Sequence, residues 1–88
     1  MKVQVKYFAS IREAVGAGEE AVDTMALTVG TLRDELIARG GAHAQALART
    51  QNGKSRAVRV ALDQRMSTED AALHEGCEVA FFPPVTGG

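Results

Sequence analysis

The segment "FFPPVTGG", residues 81–88, concentrates the residue types in this chain that could do chemistry outside their own domain. Pro83 and Pro84 each fix φ near −65° and lack the N–H that a sheet ladder uses, so a strand running through Phe81 and Phe82 must stop there. Consecutive prolines favour a stiff, extended conformation that projects the chain away from its domain. Beyond them Val85 and Thr86 carry modest side chains, and Gly87 and Gly88 carry none. At about 3.3 Å per residue, Pro83 to Gly88 spans on the order of 20 Å, long enough to reach deep into another protein. Two glycines can thread a channel that a Cβ would obstruct. The group so delivered is the α-carboxylate of Gly88, anionic at neutral pH and inert as an acyl donor. Attack of that carboxylate on the α-phosphate of ATP would give an acyl adenylate. A sulfur donor could then displace AMP, leaving a thiocarboxylate whose sulfur is presented at high effective concentration on a movable arm.

The remainder of the chain must hold that arm. With 88 residues, 45% of them apolar, the chain suffices for one domain. Val3, Val5 and Tyr7 alternate with Lys2, Gln4, Lys6 and Phe8, which predicts a strand with one face on a core. In "SIREAVGAG", Ser10 could cap one or two helical turns that Gly16 and Gly18 end. "EEAVDTMAL" predicts a second strand, antiparallel to the first. Val29, Leu32, Leu36 and Ile37 recur at helical spacing behind a Thr28 cap, with Arg39 in the last turn and Gly40 or Gly41 as terminator. "HAQALART" could add a short helical piece, and "QNGK" reads as a turn. "RAVRVALD" places Val58, Val60 and Leu62 on one strand face and Arg59 and Ala61 on the other. Residues 63–76 read as irregular turns. The final strand "CEVAFF" turns Cys77, Val79 and Phe81 one way and Glu78, Ala80 and Phe82 the other. The sum is an α+β domain over residues 1–82, a mixed sheet of four to five strands on one main helix, followed by a flexible tail, 83–88.

The motifs "YFASIREAVG", "TVGTLRDEL" and above all "GCEVAFFPPVTGG" resemble those of the small, sulfur-carrying subunits of molybdopterin synthase, the MoaD family, along essentially the whole chain. The resemblance implies a ubiquitin-like β-grasp fold and a carrier with no turnover of its own. It implies that Gly88 is adenylated by a MoeB-like activating enzyme at the expense of ATP and receives sulfur from a donor enzyme. The thiocarboxylate would then give its sulfur to cyclic pyranopterin monophosphate inside a MoaE-like large subunit, forming the dithiolene of molybdopterin, in a heterotetramer with two carriers on a large-subunit dimer. Gly87, Thr86, Val85, Pro84 and Pro83 would thread into that subunit, with no permanently bound cofactor or metal. The chain departs from the family pattern at Cys77 and Asp63, both away from the tail. A ubiquitin-like protein modifier, a thiamine-pathway sulfur carrier and a non-covalent binding module with a docking tail are the rival readings.

Other residues invite sharper roles than their surroundings support. Phe82 and Phe8 face the same way; if their strands are neighbours they form an exposed apolar patch at the base of the tail, suited to a partner interface, unless one of them covers a loop. Cys77 begins a core face without a histidine beside it on that strand, which fits a buried apolar residue better than a nucleophile. His43 and His74 match no metal spacing and read as surface residues. "VGAGEE" is no phosphate loop and reads as a turn. "RTQNGKSRAVR" carries the basic residues Arg49, Lys54, Arg56 and Arg59 and reads as a solvated loop and edge strand, or as a protein contact. Ten Lys and Arg against eleven Asp and Glu give no long-range attraction to nucleic acid or an anionic membrane. A cytoplasmic protein is expected.

Overall fold

A computed structural model describes residues 1–84 of the chain; the expectations for Val85, Thr86, Gly87 and Gly88 lie outside the described residues. The opening alternation produces β1, Lys2–Tyr7, whose Val3, Val5 and Tyr7 are buried. The strand passes directly into α1, Ala9–Val15. Phe8, not Ser10, occupies the N-cap position, without a side-chain cap bond. Its N–H still donates to Phe81 O in the sheet, while its carbonyl accepts the N–H groups of Ile11 and Arg12. The helix therefore starts as soon as the sheet releases the chain, and Ser10 falls inside its first turn. Gly16, at φ 87°, ends it by donating to Arg12 O, a left-handed cap that a Cβ would strain.

β2, Glu19–Asp23, runs antiparallel to β1 from Lys6↔Glu19 to Lys2↔Asp23. It is shorter than the predicted run, because Thr24 Oγ1 accepts the Ala26 N–H and turns the chain out of the sheet. α2, Val29–Ala38, opens on a reciprocal capping box between Thr28 and Thr31 and buries Val29, Leu32 and Leu36. Gly40, at φ 76°, separates it from α3, Gly41–Leu47, which buries Ala46 and Leu47. A small hairpin follows, β3 Thr50–Gln51 and β4 Lys54–Ser55. Asn52 and Gly53 both have positive φ there, as a two-residue type I′ turn requires.

β5, Arg59–Leu62, pairs antiparallel with β6, Arg65–Ser67, and with β7, Glu78–Phe82. β7 also pairs parallel to β1, from Gln4↔Glu78 to Tyr7↔Phe81. The sheet order β2-β1-β7-β5-β6, with a parallel central pair, is the β-grasp arrangement.

Two further expectations are corrected. Among the described residues three helices, not one main helix, cover the sheet: the ten-residue α2 is too short to shield five strands, so α1 and α3 add Ile11, Ala46 and Leu47 to the same core. The segment 63–76 is not wholly irregular either, since it contains β6. Three residues with no apolar alternation leave no strand signature in the sequence.

Candidate functional site

β7 is the central strand, and it ends at Phe82; Pro83 and Pro84 follow outside any regular element. Because β1 lies parallel beside it, both strands finish at the same end of the sheet. Phe8 and Phe82 thereby meet, with ring centroids 6.3 Å apart and planes at 85°, the edge-to-face geometry that aromatic quadrupoles favour. Phe8 is 46% exposed and Phe82 half-buried, so the pair is a partly open apolar surface where the chain leaves the sheet. The sheet register extends it: Lys6, Ala80, Ala61 and Met66 lie in one row across β1, β7, β5 and β6. Ala80 and Ala61 give that row a flat floor, and Met66, 59% exposed, closes its far side. Sequence reasoning missed Met66 because its strand was missed.

Beneath the pair, Phe81 stacks on Tyr7 with centroids 6.4 Å apart. The Tyr7 hydroxyl donates to Glu20 Oε2 at 2.8 Å, His43 Nε2 donates to the same oxygen at 2.8 Å, and Arg39 Nη1 reaches Oε1 at 2.8 Å. Partial desolvation acts to raise the Glu20 carboxyl, but the hydrogen bonds from His43, Arg39 and Tyr7 outweigh it and hold it at about 2. Burial, then the hydrogen bond and negative charge of Glu20, push the Tyr7 phenol upward. His43 is thus not a plain surface residue: its side chain is largely covered and contacts the Tyr7 ring edge-on. A tyrosine at a core position of a strand, whose hydroxyl needs a partner, was the one signal of this network in the sequence.

The second histidine does lie at the surface. His74 Nε2 donates to Asp63 Oδ2 at 2.8 Å, and Asp63 Oδ1 accepts the Glu78 N–H at 2.9 Å. The Glu78 bond, then His74, hold the Asp63 carboxyl below its usual value, and Asp63 in turn raises His74. Asp63 and Gln64 both take positive φ in the β5–β6 turn, a conformation Asp tolerates, so Asp63 fits this turn and ties it to the start of β7. Cys77 is buried at 1% exposure, as expected of a small apolar residue.

Much of the basic segment is spent internally. Arg49 bridges Asp34 and Glu69 at 2.9 and 2.7 Å, and Arg56 donates to Gln45 O at 2.6 Å. Residues 16–18 form the expected turn between α1 and β2. Among the described residues no group of three or more His, Cys, Asp and Glu side chains is placed to hold a metal ion, and no helix is long and apolar enough to cross a membrane.

The described structure therefore brings Phe8 and Phe82 together where the chain leaves the sheet and places Pro83 and Pro84 immediately beyond them. Against known proteins, the family model described as "ThiS family" matches residues 5–88. The molybdopterin synthase sulfur carrier subunit of Escherichia coli is 41% identical over 98% of this chain and 99% of its own. The subunit of that name from Haemophilus influenzae is 35% identical over the same shares. Among solved structures, SAMP1 of Haloferax volcanii superposes with a TM-score of 0.75 at 31% identity, covering 100% of both chains. Fold and full-length likeness agree: the chain belongs to the ThiS family and, within it, to the MoaD-type sulfur carrier subunits of molybdopterin synthase.

Proposed function

We propose that Gly88 is the working residue of this carrier and that residues 1–82 are the handle from which the tail, 83–88, is presented. The observation that carries the reading is the end of β7: the central strand delivers the chain past an open aromatic pair directly into Pro83 and Pro84. The family match over residues 5–88 supports it, since Gly87 and Gly88 fall within the matched length. In the first step a carboxylate oxygen of Gly88 bonds to the α-phosphorus of ATP and pyrophosphate leaves. The activating enzyme, MoeB-like, supplies the nucleotide site. Sulfur at the sulfide level, brought by a donor enzyme, then attacks the carbonyl carbon and AMP departs, leaving the thiocarboxylate.

Pro83, Pro84, Val85, Thr86 and Gly87 thread that terminus into a MoaE-like large subunit, where the catalytic groups reside. Each thiocarboxylate gives one sulfur to cyclic pyranopterin monophosphate, so two such transfers complete the dithiolene, and water restores each carboxylate. Phe8 and Phe82, with Met66 on the same face, form the contact that seats the large subunit at the base of the tail, in an assembly of two carriers on a large-subunit dimer. ATP use places this work in the cytoplasm.

A second reading draws on the likeness to SAMP1, which belongs to the small archaeal modifier proteins: an activated Gly88 could instead be joined to a lysine amine. Mass spectrometry of the intact chain from cells separates the two. Replacement of one terminal oxygen by sulfur supports the carrier, and a branched Gly88–lysine peptide supports the modifier. Persistent absence of the sulfur-bearing form in molybdopterin-producing cells overturns the carrier reading.

A further inference from the structure

Two guanidinium groups flank the aromatic pair. Arg59 opens β5 in direct register with Phe82, exposed to solvent. Arg12 stands on α1 with its N–H on Phe8 O, and its side chain lies across Gly18, where an added Cβ would come within 3.2 Å of Cζ. That turn glycine thus leaves room for the guanidinium beside Phe8. Among the described residues neither Arg12 nor Arg59 has a carboxylate within salt-bridge distance. Two carboxylates on the same sheet face are already engaged: Glu78 with Lys6 at 3.3 Å and Glu19 with Gln4 Nε2 at 3.2 Å. The chain as a whole carries a formal charge of −1, so this positive surplus is local. It spans the width of β1, β7 and β5, about 10 Å at the usual strand spacing.

Resting on the carrier reading, we infer that Arg12 and Arg59 are the electrostatic half of the docking surface, and that the large subunit meets them with carboxylates set on either side of an apolar socket for Phe8 and Phe82. A narrow tail must enter a narrow channel, so the two proteins have to meet in the correct orientation. Charges bracketing the base of the tail orient that encounter before any close contact forms. Exposed charges at an interface rim act chiefly on the association rate and are screened by salt.

The test is stopped-flow association of the full chain with the large subunit of molybdopterin synthase from the same organism, from about 50 to 500 mM salt. The chains compared are wild type, Arg12→Glu/Arg59→Glu, Arg12→Gln/Arg59→Gln and Phe82→Ala, each first shown to be folded by its melting curve. Charge reversal should slow association by about 10- to 100-fold at low salt, with neutralisation intermediate. Dissociation should change by less than about 3-fold, and the differences should shrink at high salt. Phe82→Ala should instead speed dissociation. Charge variants that associate at the wild-type rate with the wild-type salt dependence overturn this inference while leaving the carrier reading intact. Failure of the wild-type chain to bind the large subunit at any salt sinks both.

Discussion

Phe82→Ala separates the two uses of the aromatic pair, holding the domain together and holding a partner. In the free chain Phe82 is half-buried and meets Phe8 edge-to-face. Truncation forfeits that contact, worth about 0.5–1.5 kcal/mol, and part of the ring's burial. No cavity opens in the core, because Phe81 and Tyr7 beneath stay stacked. A folding cost of about 1–2 kcal/mol follows. In a domain of this size it lowers Tm by about 5–10 °C, leaving the chain folded at 25 °C. In the complex the exposed part of the ring would be desolvated in a central pocket, where an aromatic anchor is worth about 2–3 kcal/mol. Kd for the large subunit should therefore rise about 30- to 150-fold. Titration calorimetry at 25 °C, where both variants are folded, reads this without interference from stability. A Kd within about 3-fold of wild type would refute the assignment of Phe82 to the interface.

The Glu20 cluster should appear in acid. Its carboxyl is held at about 2 against an ordinary 4.5, so ionised Glu20 contributes stability that is complete above about pH 4.5 and lost as pH falls towards 2. Partial exposure to solvent discounts that contribution to about 1–2 kcal/mol. Denaturation of wild type and Glu20→Gln should differ by this amount at pH 7, and the difference should shrink from about pH 4.5 downwards and vanish towards pH 2; a pH-independent difference would contradict it. Cys77 should be inert while the chain is folded, with a thiol reagent labelling it at least about 100-fold more slowly than in denaturant, because labelling requires the core to open. Equal rates in the two states would show that the thiol is accessible.

The central strands were legible because Val3, Val5 and Tyr7, and Cys77, Val79 and Phe81, each alternate with residues facing the other way, and α2 because Thr28 and the spacing of Val29, Leu32 and Leu36 agree. The Phe8–Phe82 meeting was readable only as a condition, since alternation gives the face of a residue but not the order of strands. The parallel pairing of β1 with β7 fulfils it. Of the Glu20 cluster the sequence showed only that the Tyr7 hydroxyl needs a partner, because Tyr7, Glu20, Arg39 and His43 converge only once β1, β2, α2 and α3 have packed. β6 escaped because a short edge strand takes its form from β5 and the Asp63–Gln64 turn, not from its own residues.

The claim that matters most is that the acyl carbon of Gly88 carries the transferred sulfur. Its most direct test is a reconstituted synthesis with the activating enzyme, a sulfur donor, the large subunit and either the complete chain or one lacking Gly88. The complete chain should yield molybdopterin. The shortened chain should yield none, although its melting temperature stays within about 2 °C, since a chain-terminal glycine, which has no side chain to bury, adds little to stability. Molybdopterin formed at a comparable rate without Gly88 would contradict the account.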